Sequence, residues 1–265
     1  MAFARIGKID LYFERVGRGQ RLLFISGTGG DLRVRPNVLD GPLAEAFDLA
    51  AYDQRGLGRS AKPDVPYAMA DYADDAAGLL DHLGWPTAKV MGVSFGGMVA
   101  QELALRHPQR VERLVLACTS PGGAGGASYP LHELDALDAE SRARLLIPIS
   151  DVRHDEAWAK ANPEHFARLV AQAAQALYAD EPGRAAGARR QLEARARHDA
   201  WERLGEIRCP VMIAAGRYDG IARPESQHNL ASRIPGSALR FFEGGHLFMI
   251  QDKAALPAMI AFLNA

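Results

Sequence analysis

Cysteine is scarce: Cys118 and Cys209 are the two in 265 residues, too few for a disulfide framework or a cysteine-rich zinc cluster. Long apolar runs are missing too, and none approaches the roughly 18 residues expected of a membrane-spanning helix. The opening segment MAFARIGKIDLYFERVG has no basic region leading into an apolar one, as a secretory signal would. The expectation is a soluble, cytoplasmic chain that does not engage a membrane. Charge of one sign is also lacking. The 31 lysines and arginines nearly balance 32 aspartates and glutamates, for a net charge of −1, so no broad field would draw nucleic acid or anionic lipid. The expected partner is a small molecule, to be sought in local features.

What is present is a rhythm. An alternating segment, FARIGKIDLYFERVG, suggests a hairpin with one wet face. After it, the short apolar runs RLLFIS, FDLAAYD, AKVMGVS and RLVLACTS each end in turn or polar residues, and most lead into helical text such as MADYADDAAGLLDHLGW. Strands buried on both faces and joined by helices make a mostly parallel α/β sheet. Over residues 121–205 that rhythm stops, and PGGAGGASYP leads into HELDALDAESRARLL, PEHFARLVAQAAQALYA and RAAGARRQLEARARHDAWERL. A structureless loop of this length would be out of place, so a helical insertion of three helices is expected. CPVMIAAGRYDG and ALRFFEGGH restore the strands, which leaves residues 1–120 and 206–265 as the core domain. Cys118 and Cys209 then fall at opposite ends of the sheet, beyond the reach of a disulfide, as inert core thiols.

The stretch VMGVSFGGMVAQ begins as a strand and ends as a helix, with Ser94 at the join between Gly92 and Gly96. A strand-to-helix turn this sharp needs small neighbours, and it lifts the central side chain above the sheet. This is the G-x-S-x-G nucleophile elbow. The turn would also aim the Phe95 N–H, at a helix N-terminus, toward an oxygen that becomes negative during attack. Serine needs a base, and the base an orienting acid. Asp219 follows one late strand in AAGRYDG, and His246 the next in FFEGGHLF. The order serine, acid, histidine matches that of the elbow-bearing hydrolases. The other histidines, His82, His107, His132, His154, His165, His198 and His228, fall on helices or in the insertion. The loop SGTGG after an early strand permits close backbone approach to a ligand, with the Thr28 N–H as second oxyanion donor and Gly27 and Gly29 beside substrate. It has neither P-loop nor G-x-G-x-x-G spacing, so no nucleotide is expected, and the chemistry calls for no metal or organic cofactor.

Together SGTGG, YDQRGLGRS, GVSFGG, GRYDG and GGH resemble the α/β-hydrolase superfamily along nearly the whole chain. The resemblance implies an eight-stranded, mostly parallel sheet with a helical cap after the sixth strand, and gives Asp53, Arg55 and Ser60 a structural role near the oxyanion loop. Many members carry histidine where this chain has Ser26. Within the superfamily the chain is similar to small capped carboxylesterases, 3-oxoadipate enol-lactonases and cofactor-free haloperoxidases. The segment Asp31-Leu32-Arg33 is similar to enol-lactonases, whereas Arg35 replaces a tryptophan often found there. The function implied is cleavage of a carboxylic ester or lactone of a small molecule by Ser94, His246 and Asp219. Two alternatives share the triad: a C–C bond hydrolase of a vinylogous diketone, and a hydrolase-fold receptor with little turnover.

Candidate substrate contacts are less specific. Arg33 or Arg35 would hold an acidic substrate group, or else be solvated or make structural ion pairs. The cap aromatics Trp158, Phe166 and Tyr178 would line an apolar pocket, or else pack the core. Arg184, Arg189, Arg190, Arg195 and Arg197 read as a wet helical face, with Glu193 and Arg197 at i, i+4 spacing.

Overall fold

The alternating N-terminal text forms the expected hairpin, β1 (Ala2–Ile6) and β2 (Ile9–Val16), turning at Gly7. The computed structural model describes residues 2–175 and 177–265. There follow β3 (Arg21–Ile25), α1 (Pro42–Ala46), β4 (Asp48–Tyr52), α2 (Met69–His82), β5 (Ala88–Val93), α3 (Phe95–Arg106) and β6 (Val111–Ala117). The helical insertion carries α4 (Ala139–Ser150), α5 (Glu156–Ala161), α6 (Pro163–Ala173) and α7 (Arg184–Ala196). The chain then returns through β7 (Val211–Gly216), α8 (Pro224–Arg233), β8 (Ala238–Phe242), α9 (Phe248–Gln251) and α10 (Ala255–Asn264).

The eight strands lie in the order β1-β2-β4-β3-β5-β6-β7-β8. β2 pairs antiparallel with both β1 and β4, and every pairing from β4 onward is parallel. Alternation within buried strands divides the core into two layers. Val90, Leu114, Leu116 and Ile213 face a cluster with α2 and α3, while Met91, Val115, Met212 and Ala214 face one with Phe248, Met259 and Leu263. Helices thus cover both faces of the sheet, which is why its strands read as continuous apolar runs.

The insertion departs from the expected three helices because its capping residues divide it further. Asp138 accepts hydrogen bonds from the Glu140 and Ser141 amides and starts α4, and the text before it, HELDAL, forms a 3-10 turn at Leu131–Leu134 in place of a helix. Asp155 caps α5, Pro163 opens α6, and α6 stops at Ala173. No helix among the described residues is long and apolar enough to cross a membrane. Cys118 follows β6 and is buried; Cys209 lies just ahead of β7 and is half-buried, and both are free thiols. Burial pushes each thiol up, Cys209 to about 11.

Candidate active site

From β3 the chain crosses to β4 on one side, while β5 lies on the other. Strand order reverses there, and such a point opens a crevice at the C-terminal strand ends. The SGTGG loop follows β3 and Ser94 follows β5, so both are delivered to this crevice. Ser94 has φ 55° and ψ −117°, a sparsely populated conformation for a residue with a side chain. The glycines make the turn possible. A Cβ on Gly96 would lie 2.1 Å from the Ile25 carbonyl oxygen, and one on Gly92 2.3 Å from that of Gly96.

The turn brings Ser94 Oγ to 3.0 Å from His246 Nε2, and His246 Nδ1 lies 2.7 Å from Asp219 Oδ2. Asp219 is 2 % exposed, and its other oxygen accepts the amides of Ile221 at 2.8 Å and Ala222 at 2.9 Å. Buried Gln227 fixes this loop by donating to the carbonyls of Thr119 and Ala222. Three side chains more than 20 residues apart in sequence are therefore brought into one line, with the carboxylate oriented from behind.

Phe95 opens α3, so its N–H belongs to the first turn that helical carbonyls cannot serve. Across the crevice, a Cβ on Gly27 would stand 3.4 Å from the Ser94 Cβ, which puts the β3 loop against the serine. The Gly30 N–H donates to the Gly27 carbonyl and the Gly29 N–H to Gln191 Oε1 at 2.9 Å. Two of the loop's amides are therefore engaged, and Thr28 lies between Gly27 and Gly29. Gln54 donates to the Ser26 carbonyl at 2.7 Å and so anchors the loop. A cleft of about 460 Å³, bordered by Gly29, Val34, Arg142, Leu146 and Arg184, opens between this loop and the cap.

Asp53 ties the loop's far end to the turn after β4, accepting the Leu32 amide at 2.7 Å and the Arg59 amide at 2.8 Å. Burial outweighs these two amides and carries its carboxyl up to about 6. Ser60 bridges Tyr12 and Asp53, and Arg55 grips buried Asp75 through two hydrogen bonds. All three residues do the structural work their motif implies.

The candidate substrate contacts fare differently. Arg33 is held by Asp31 and Glu181 at 2.7 Å each, with its guanidinium 3.8 Å from the Tyr178 ring centre. Arg35 pairs with Glu14 and Asp40. These are the structural ion pairs, and Arg184 joins them through Asp31. Burial works to raise the Asp31 carboxyl, yet the hydrogen bonds from Arg33 and Arg184 outweigh it and hold it at about 2. Trp158 packs between His154 and His165, and Phe166 against the small cap cluster of Ala143, Ile147 and Val170. Neither borders the cleft at Gly29. Glu193 pairs with Arg190 rather than Arg197. The wet-face expectation fails at Arg195, which is 5 % exposed, because α7 turns that side inward against the core.

The cap is also bonded to the loops that carry Asp219 and His246. The carbonyls of Ile149 and Ser150, at the end of α4, accept the amides of Gly220 at 3.0 Å and His246 at 2.6 Å, and the Val152 amide donates to Tyr218. Sequence reasoning did not find these contacts, nor Gln54, Gln191 and Gln227. Gln191 and Gln227 in helical text and Gln54 in a turn carry no periodic signal, and their burial appears only when elements assemble.

Comparison with known proteins agrees with this architecture. The chain is 32 % identical over 252 residues to RutD of Variovorax paradoxus, named as a carbamate hydrolase, covering 93 % of this chain and 92 % of that one. It is 30 % identical over 272 residues to the poly(3-hydroxyalkanoate) depolymerase of Ectopseudomonas oleovorans, covering 92 % and 84 %. The crystal structure of the enol-lactonase from Burkholderia xenovorans LB400 superposes with a TM-score of 0.80 over the whole of both chains at 23 % identity, which speaks for the fold. The family model described as alpha/beta hydrolase fold matches residues 20–253, and with the elbow, the sheet order and the inserted helices in place, the chain belongs to the α/β-hydrolase family.

Proposed function

We propose that this protein is a serine hydrolase that cleaves a carboxylic ester or lactone of a small molecule through an acyl-enzyme intermediate. His246 Nε2 takes the Ser94 hydroxyl proton as Oγ bonds to the carbonyl carbon. The amides of Phe95 and Thr28 receive the resulting oxyanion, a contribution of roughly 3 kcal/mol for each donor. Collapse of the tetrahedral intermediate breaks the carbon–oxygen bond, and the leaving oxygen takes the proton from His246. Water then gives a proton to the same nitrogen as it attacks the acyl carbon, and collapse of this second tetrahedral intermediate breaks the bond to Oγ while His246 returns the proton to Ser94. Asp219 holds the imidazole tautomer and balances its transient positive charge throughout.

The observation that carries this reading is the unbroken contact from Ser94 Oγ through His246 to Asp219, at 3.0 and 2.7 Å. The name of the depolymerase relative adds support for ester-type carbonyls. A fluorophosphonate tests it directly. Stoichiometric labelling of Ser94, absent in Ser94→Ala and His246→Ala, together with burst hydrolysis of short p-nitrophenyl esters, is expected. A folded wild-type chain that takes up no label would overturn it.

A further inference from the structure

Side chains from elsewhere in the chain hold the backbone of the loop after β3 at Ser26, Gly29 and Leu32. The Ser26 carbonyl accepts from Gln54, and the Leu32 amide donates to Asp53. Between these, the Gly29 amide donates to Gln191 Oε1 at 2.9 Å, a bond that reaches the loop from the cap. Gly29 depends on it. Its φ is +73°, and a Cβ built on it would meet nothing within 4 Å, so neither a side chain nor packing restrains a residue with unusual backbone freedom. Thr28 directly precedes it, and the Thr28 amide has no acceptor among the described residues.

Gln191 is fully buried, on the face of α7 that also turns Gly187, Ala194 and Arg195 inward. A Cβ on Gly187 would stand 2.0 Å from the Gly56 carbonyl oxygen, so the helix lies as close to the core as glycine allows. That seat sets how far the glutamine reaches. Its Nε2 has no hydrogen-bond partner among the described residues, and a buried amide group left unpaired is costly. An apolar side chain of similar length would avoid the cost. Turning the amide over would set its NH2 against the Gly29 N–H, donor against donor, so the satisfied atom is the acceptor that faces the loop.

We propose that Gln191 is a positioning residue for acyl transfer: by accepting the Gly29 amide it fixes the backbone that aims the Thr28 N–H at the oxyanion. The inference rests on the hydrolase reading above. It gives the cap a share in setting the oxyanion donors, beyond covering the substrate. Formation and breakdown of the acyl-enzyme both pass through an oxyanion, so a loosened donor slows the two steps together. The result is a lower kcat with KM little changed, the pattern of an interaction made only in the transition state.

Gln191→Met keeps the length of the side chain and removes the acceptor. With p-nitrophenyl butyrate its kcat is expected to fall by about tenfold or more, short of the loss of roughly a hundredfold or more for deleting an oxyanion donor outright. KM should stay within about threefold of the wild type, and fluorophosphonate labelling of Ser94 should slow by a factor similar to that in kcat. Tm should be unchanged or higher, because the unpaired NH2 is gone; a residue that only seated α7 would lower Tm and leave the kcat of the folded protein alone. The dependence of kcat/KM on pH should match the wild type, since the contacts among Ser94, His246 and Asp219 are untouched. Gln191→Asn, one carbon short of the loop, should show the same kcat loss and serves if the methionine variant does not fold. In the wild type the Gly29 amide should exchange with deuterium far more slowly than an unstructured glycine. An unchanged kcat in a folded variant, or a freely exchanging Gly29 amide, would overturn the proposal while the hydrolase reading stands. A wild type that neither takes the label nor hydrolyses the ester removes both.

Discussion

Replacing Asp219 by asparagine tests the relay with little change of shape. Oδ1 of Asp219 accepts two amides, from Ile221 and Ala222, and Oδ2 faces His246 Nδ1 at 2.7 Å. An asparagine must keep its oxygen on the two amides, because turning its NH2 toward them would set donor against donor. Its NH2 therefore faces Nδ1, which can then only accept, and the imidazole proton moves to Nε2. That nitrogen, 3.0 Å from Ser94 Oγ, now carries hydrogen and cannot take the serine proton. The expected loss in kcat at neutral pH is on the order of 10⁴, or about 5.4 kcal/mol of transition-state stabilisation. Because the two amide bonds survive, Tm should move by no more than a few degrees. The assay is p-nitrophenyl ester hydrolysis beside a thermal melt. A loss smaller than tenfold in a folded variant would refute the role given to Asp219.

Three further outcomes follow from packing and charge. Gly96→Ala sets a methyl 2.1 Å from the Ile25 carbonyl oxygen and 2.5 Å from that of Ser26, so the elbow must shift, and destabilisation of about 1–3 kcal/mol in denaturant melts is expected; an unchanged midpoint would show that the turn yields freely. Arg55→Met leaves Asp75, 3 % exposed, without its bidentate partner, at a cost of about 3–5 kcal/mol that Arg55→Met with Asp75→Leu should largely recover; equal losses in the single and double variants would contradict this. His198 is held neutral, burial lowering its pKa from 6.5 to about 4. The unfolded chain binds the extra proton between these values, so the stability is complete above pH 6.5 and falls as pH drops toward 4, by about 3 kcal/mol in all. His198→Gln should lack that loss, and parallel wild-type and variant stability curves over pH 4–7 would contradict the assignment.

The sheet and the contacts among Ser94, His246 and Asp219 were legible in the sequence because each depends on short-range text. Parallel strands buried on both faces must be apolar runs, the elbow needs its glycines within five residues, and chain order alone singles out His246 after the last strand. The cap was legible as helical but not in its divisions, which depend on single capping residues such as Asp138 and Asp155. Least visible was which arginines turn inward. Arg189 and Arg195 occupy similar text on one helix, yet one is exposed and the other buried, a difference set by how α7 seats on the core. Arg33 was ambiguous for a related reason, since its partner Glu181 lies 148 residues away.

The bonds from Ile149 and Ser150 to the amides of Gly220 and His246 bear on how this scaffold could be re-engineered. A chimera that imports another enzyme's lid to change selectivity would have to splice beyond Val152, keeping the end of α4 as native sequence. A junction drawn earlier would exchange the very segment that braces the imidazole's backbone, and a loss of turnover in such a hybrid would reflect a displaced base rather than a poorly fitting substrate.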